Sequence, residues 1–585
     1  LSPSNAPTLG GLVSIVDFGG NGNGVADNLA AFNAAVAKLQ STPPGFGTIY
    51  FPPGTYYVST SYTIPSGIHL QGAGQSATTL ISDGHHYAVQ IISLLTGTGI
   101  EGGTITYPIN APTQGGNTVT TTNSSDAGNF NPGDTIFVSG SLHSTAFWFP
   151  SFTTTVLSSN AGTGLITLNE TLPIGGVNVQ LVQKVVNYVT DVRISDLTIN
   201  IPSGAVTGGM QAVIARNVVL ERVASRTMAT TRHSYMSLAG VRDGYVNDCL
   251  FVAGYVDFLG CIDTSVINNT VQSGVIVFDG GTLNSTLIGN TITDAQDPQG
   301  TPNSAIAIGS DAQNNRIIGN VITGQSGVVG IGLGASNDDN TYGGNTVIGN
   351  IIYGTGTASA TGISVGSSTN NIVIGNNINT INTGIRLANN SIGTIVHSNK
   401  FTNIGSTGGV PNTVLSDGTS GVNSPLNDIW NVVPAGTTSP NIAFGSLLQT
   451  ANTAATSITG FTGGNQGQEA TLWVNDAFTT LVYSGTFLLA GLVNFTPPSG
   501  TIIKFSYRNG VWREVSRSVN AVAAATFPRG IVLPESTVAT LPAAGQAGRK
   551  QFVTDATVTT FGTAVVGGGA NVVPVYDNGT TWMIG

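Results

Sequence analysis

Residues 314–323 read "NNRIIGNVIT", an apolar strand interrupted by one asparagine, and the chain writes it again and again. It appears as "STLIGNTIT" at 285–293, "NTVIGNIIY" at 345–353, "NNIVIGNNIN" at 370–379 and, worn, as "TIVHSNKFT" at 394–402. The shared residues Asn290, Asn320, Asn350, Asn376 and Asn399 lie 30, 30, 26 and 23 residues apart. A fixed motif at a variable period is the mark of a solenoid whose connecting loops differ in length.

The chemistry of the motif selects the solenoid. Alternation of Ile317 with Ile318, Asn320 and Ile322 suits a strand that buries one side and bends at the asparagine. Coils stacked about 4.8 Å apart hydrogen-bond to the coils above and below, so each buried asparagine can bond to the next in a ladder. That is a parallel β-helix. A second strand follows in "SAIAIGSD", "VVGIGLGAS", "ATGISVGSS" and "NTGIRLANN", where two inward aliphatics flank one outward residue. Earlier segments fit the same frame, with Asn269, Asp248, Arg222 and Asp196 expected in the asparagine slot. At least nine coils are expected between about residues 188 and 405.

Composition agrees with an all-β chain and excludes several classes. Of 585 residues only 8% are charged, against roughly 25% in ordinary soluble proteins. Gly (79 residues) with Ser, Thr and Asn replaces the missing charge. The net charge of −10 and only 18 Lys and Arg argue against nucleic acid, which needs clustered cations. No apolar run approaches the roughly 18 residues of a membrane span, so membrane insertion is not expected. Cys249 and Cys261 read as packing thiols, and no His, Cys or acid spacing suggests a metal or other cofactor. The chain starts without Met, and an N-terminal region missing from it is expected.

The N-terminal stretch "IVDFGGNGNGVADNLAAFNAAVAKLQ" reads as a strand, a Gly/Asn loop, an N-cap at Asp27 and a helix striped by Leu29, Phe32, Val36 and Leu39. Such a helix can cover the raw end of a solenoid. Two strand sets follow, "GTIYFPPGTYYV" and "SGIHLQGAGQSATTLIS". Over residues 14–82 the chain resembles the pectate-lyase-like superfamily, in particular the capped β-helix of phage tailspikes, some pectinolytic enzymes and alginate epimerases. "LLQTANTAATSITGFTGGNQGQEATLWVNDAFTTLV" and the final "VATLPAAGQAGRKQFVTDATVTTFGTAVVGGGANVVPVYDNGTTWMIG" resemble β-modules common near the C-termini of phage tail proteins.

The expected organisation is therefore an all-β, right-handed parallel β-helix with a capping helix and inserted and C-terminal antiparallel β-modules. Its divisions are cap and first coils (1–107), an inserted β-module (108–186), the main β-helix (187–410), a sandwich-like module (411–518) and a tail module (519–585). The resemblance implies a homotrimer, attached to a virion tail through the missing N-terminal region, that binds and depolymerises bacterial surface polysaccharide. Two carboxyl groups are what glycoside hydrolysis requires. A polysaccharide lyase and a non-catalytic receptor-binding adhesin stay open as alternatives.

Aligning coils puts Ser237, Asp257, Ile276, Ala307, Gly332, Ser364 and Arg386 in one outward column. Asp257 is then an acid in mid-strand, where Asp is depleted. The loop "ASRTMATTRHSY" before it brings Arg226, Arg232, His233 and Tyr235, and "TDAQDPQGTPNS" after it brings Asp294 and Asp297. These would wall a groove floored by Asp257, with Tyr255 a further candidate for binding substrate. The structural alternative is that Asp294 and Asp297 are turn residues neutralised by the arginines. A second candidate pair is Glu101 and Glu221, expected in one column with Ser195 between them, roughly 9.6 Å apart. Inverting hydrolases place their carboxyls about 6.5–9.5 Å apart. Trp148, in "HSTAFWFP" of the inserted module, is a candidate for stacking on sugar. Arg232, His233 and Tyr235 are the residues a lyase would use.

Overall fold

The computed structural model describes residues 11–95, 107–140, 151–173, 179–202, 208–227, 234–295, 304–309, 312–325, 329–334, 343–355, 360–388, 391, 393–407, 410–411, 414–416, 424–426, 431–442, 447–464, 466–518 and 535–585. Two compact units are formed, residues 1–517 and 518–585.

Among the described residues of the first unit, 32 strands wind into one continuous system. They form three parallel sheets, the faces of a right-handed β-helix. The first sheet stacks Gly11–Ser14, Gly47–Phe51, Ile68–Gly72 and the early part of Val189–Ile201, and continues to Ser424–Leu426. The second runs from Asn23–Asp27 to Lys400–Ile404. The third runs from Tyr62–Thr63 through Met210–Val213 to Val414–Ser416.

Stacking in register aligns like residues. Leu287, Ile317, Val347 and Val373 succeed one another in the core of the first sheet, each fully buried. Burial of such a side chain contributes roughly 1.5–3 kcal/mol, and the pattern repeats in every coil. Between the first and second sheets runs the asparagine ladder. Asn290, Asn320, Asn350 and Asn376 each donate from Nδ2 to the Oδ1 of the next at 2.9 Å, ending on Asn399. The same Oδ1 atoms accept the preceding asparagine's backbone N–H, so the bend in each coil leaves few polar groups unsatisfied.

Two expectations about this corner change. Ile318 does not share a face with Asn320 and Ile322. Gly319 sits in the left-handed region (φ 61°) and breaks the alternation, so Ile317 turns inward and Ile318 outward. Nor do Asp196, Arg222 and Asp248 occupy the asparagine slot. They take the left-handed position one residue earlier (φ 58°, 52° and 51°), held in later coils by Asn268, Gly289, Gly319, Gly349, Gly375 and Ser398, and Leu197, Val223 and Cys249 fill the slot itself. Cys249 and Cys261 are buried, and burial pushes both thiols up to about 12.

A second ladder, Asn315, Asn345 and Asn371, marks the corner between the third and first sheets. The helix Leu29–Gln40 packs Phe32 edge-on against Tyr62 at 5.0 Å and buries Ala31, Ala35 and Leu39. Its N-cap is Asn28 rather than Asp27. The buried Asn28 amide ties Asn21, Ala26 and Tyr57 together, while Asp27 accepts from the Leu29 N–H and from Ser59.

From Leu94 to Val186 the chain leaves the coils and builds a seven-stranded antiparallel sheet. Its core, including Phe130, Phe152 and Val182, closes over Ile262 and Leu283 of the helix. Residues 431–517 form a six-stranded sheet with parallel and antiparallel pairs around Phe461, Phe487, Phe505 and Trp512. The second unit is a four-stranded sheet with Val553, Val575, Trp582 and Ile584 at its centre.

Candidate functional site

Asp257 lies on the strand Leu250–Leu259, in the third sheet. Its flanking residues Val256 and Phe258 are fully buried and Asp257 is half-buried, so the carboxylate belongs to the outer face. The column through it reads Gln90, Gln211, Ser237, Asp257, Val277, Ala307, Gly332, Ser364 and Arg386. Val277 replaces the expected Ile276, which faces the core. At Gly274 the backbone runs so close to its partner Gly254 that a Cβ would meet the Gly254 carbonyl oxygen at 2.5 Å, and the two strands keep one register from Leu250–Thr270 to Leu259–Asp279, which pairs Asp257 with Val277.

Tyr255 stands two residues before Asp257 on the same side and packs partly on the core. The neighbouring strand has a β-bulge between Ser234 and Met236, which leaves the Tyr235 backbone as the extra residue opposite Tyr255 and Val256. Bulges re-aim side chains and recur beside active sites. Arg226 is exposed at the end of the second sheet, in a column with Val252, Gln272 and Thr293. Asp294 follows Thr293 in the left-handed region (φ 48°), exposed at the same corner. Arg226 and Asp294 are thus three coil steps apart, roughly 14 Å, too far to pair directly. Arg232, His233, Asp297, Glu101, Trp148 and the Tyr235 side chain lie outside the described residues.

The second candidate pair does not keep its register. Ser195 is flanked by Glu221 on one side and by Gln71 on the other, so the position assigned to Glu101 belongs to Gln71. The inserted module separates Glu101 in sequence from the coil it had been aligned with. Glu221 itself is held by two guanidinium groups. Arg222 Nη1 donates to its Oε1 at 2.5 Å and Arg193 Nη2 to its Oε2. Arg222 also grips Asp196 at 2.6 and 3.0 Å, which holds the Asp196 carboxyl below the usual range. His69, beside Arg193 in the column, is lowered by burial and by that cation. Both carboxylate oxygens of Glu221 are thus engaged by guanidinium groups.

Sequence reasoning missed one further constellation, at the seam between the inserted module and the helix. Arg242 pairs with Glu170 at 2.8 and 3.3 Å, donates to the Thr153 carbonyl at 2.7 Å and lies 4.7 Å from the Phe152 ring centroid. Arg216 binds Asp243 at 2.8 Å. Asp263, one coil on in the left-handed column, is raised by burial and by the negative charge of Asp243. The signal that could have located this pair is Asp at the same corner of consecutive coils.

Residues 12–250 match the family model described as rhamnogalacturonase A/epimerase, pectate lyase-like. Mannuronan C5-epimerase AlgE1 of Azotobacter vinelandii is 38% identical over 74 residues, 12% of this chain and 5% of that protein, so the chain spans a small part of its curated relative. Among solved structures, the adhesin PfbA of Streptococcus pneumoniae aligns at 12% identity over 86% of this chain and 98% of that one, with a TM-score of 0.42. The tailspike gp49 of Pseudomonas phage LKA1 aligns at 11% identity over 78% and 86%, with a TM-score of 0.38. Structural likenesses this distant speak neither for nor against an activity. That match covers less than half of the chain, and the residues within it outside the stretch from Leu94 to Val186 form coils of a right-handed parallel β-helix.

Proposed function

We propose that this chain is a carbohydrate-processing β-helix protein, a phage tailspike that binds and depolymerises a bacterial surface polysaccharide by endo-glycosidic hydrolysis. It acts outside the host cell, at its surface, as a homotrimer borne on a virion tail. The observation that carries the reading is Asp257, a carboxylate on the outer face of a parallel sheet, in a row with the polar side chains of Gln211 and Ser237. Gln211 and Ser237 are buried, so it is the half-buried acid that can meet a sugar and exchange a proton with a glycosidic oxygen or an attacking water. Asp294 or Asp297 is the partner carboxylate in this reading, with Arg226, Arg232 and Tyr255 binding the chain.

Asp257→Asn preserves shape and removes the exchangeable proton, so depolymerisation falls by roughly 10²–10⁴-fold while the circular dichroism spectrum and melting temperature stay put. Wild-type activity in Asp257→Asn, Asp294→Asn and Asp297→Asn alike would discard this site. A lyase on the same scaffold is the second reading, favoured by the match to a pectate-lyase-like family and to epimerases. Its products would carry a conjugated double bond absorbing in the ultraviolet, and His233→Ala and Tyr235→Phe would then be the variants that abolish activity.

A further inference from the structure

The outer face of the first sheet changes chemistry halfway along the helix. One outward column reads Tyr50, Gln71, Ser195, Glu221, Asn247 and then Ile267, Ile288, Ile318, Ile348, Ile374. Five consecutive coils thus present isoleucine outward, directly above one another. Ile288 and Ile348 are 37% and 36% exposed, and the other three are half-buried. Around the lower end Ile372, Ile395, Val321, Ile351 and the exposed Tyr353 widen the strip. Arg316, Thr286 and Thr346 form the adjacent column.

Parallel sheets ordinarily have both faces covered, and among the described residues the outer face of this one stays open at Ile288 and Ile348. The inserted module reaches Ile262 and Leu283, at another corner. We propose that the isoleucine column is a self-association face, on which Ile267, Ile288, Ile318, Ile348 and Ile374 meet the same column of further copies of this chain. The inference rests on the homotrimer reading and assigns its contact surface. Three features select a second copy as occupant. The strip is aliphatic and holds no hydrogen-bond donor in its column, which disfavours a polysaccharide. Its repeat of about 4.8 Å is matched by another β-ladder of the same period. It runs parallel to the helix axis, so a closed rotation about a parallel axis lays each isoleucine against its own counterpart at every level. The column spans roughly 19 Å. It supplies the apolar centre of a contact, with the arginine and threonine column as polar rim.

Single-cysteine crosslinking in the full chain tests this, because Cys249 and Cys261 are buried and silent. Sedimentation of the wild type is expected to give a multiple of 59.5 kDa. Ile348→Cys, oxidised with copper phenanthroline, is expected to form a covalent dimer in more than half of the chains. Arg386→Cys, exposed on the third sheet, is expected to crosslink at least fivefold less. An oligomeric wild type in which Ile348→Cys crosslinks no better than Arg386→Cys overturns the isoleucine face and leaves the homotrimer standing. A wild type that sediments at 59.5 kDa overturns both. Polysaccharide cleavage is read separately, so neither result is confused with failure of the enzymatic reading.

Discussion

Asn320 donates its amide to Leu287 O and Asn350 Oδ1 and accepts two N–H bonds from Asn290. In Asn320→Ala these partners stay buried without it. At about 1–3 kcal/mol for each orphaned group, partly relieved by relaxation, a loss of roughly 2–4 kcal/mol is expected, read from the denaturation midpoint. The ladder was legible because one residue type recurs at one place in an apolar frame. Its continuation was read one residue early at Asp196, Arg222 and Asp248, since aspartate also favours the left-handed corner and nothing in the local pattern distinguishes corner from slot. In the second unit, Asp577 is fully buried. Burial opposes its ionisation, but Arg549 and the N–H groups of Gln546, Gly579 and Gly545 outweigh that and hold it well below the usual carboxylate range. A carboxyl depressed in the folded state stabilises fully above its unfolded pKa, about 3.9, and loses that contribution as the pH falls further. The second unit should therefore loosen below about pH 4, read by fluorescence of Trp582, which packs beside Arg549.

At the scale of elements, the cap is the part most exposed to a single change. Phe32 is fully buried and meets the ring of Tyr62, so Phe32→Ala should cost about 3–5 kcal/mol locally. Hydrogen exchange should then quicken in Gly11–Ser14 and Gly47–Phe51 before it does in the coils beyond residue 300, and uniform exchange would argue that the cap is not a separate cooperative unit. The capping helix and the strand sets were legible from periodicity. Column assignments were less so, because register depends on whether a corner turn holds one residue more or fewer. The unbroken register between Leu250–Leu259 and Thr270–Asp279 pairs Asp257 with Val277, one residue beyond Ile276, and the long excursion from Leu94 to Val186 leaves Gln71 beside Ser195, where Glu101 is expected from the sequence. The seam of Glu170, Arg242, Asp243 and Asp263 joins elements 72 residues apart at its pairing of Glu170 with Arg242, which no local pattern connects.

Along and around the helix of the first unit the outer faces differ in chemistry. Polar and charged side chains line the outer face of the first sheet up to Asn247, isoleucines take over below, and Asp257 stands on a different face, in the third sheet. A chain with 8% charged residues keeps such faces distinct mostly by placing hydroxyl, amide and aliphatic groups in columns rather than by charge. That this protein cuts a polysaccharide is tested most directly by incubation with a panel of purified bacterial capsular and O-antigen polysaccharides, followed by size-exclusion chromatography and mass spectrometry. One polysaccharide is expected to collapse into oligosaccharides with saturated reducing ends, and Asp257→Asn is expected still to bind it without cutting it. Tight binding of a polysaccharide by the wild type with no fall in its molecular weight would contradict this expectation and leave a receptor-binding adhesin on the same helix.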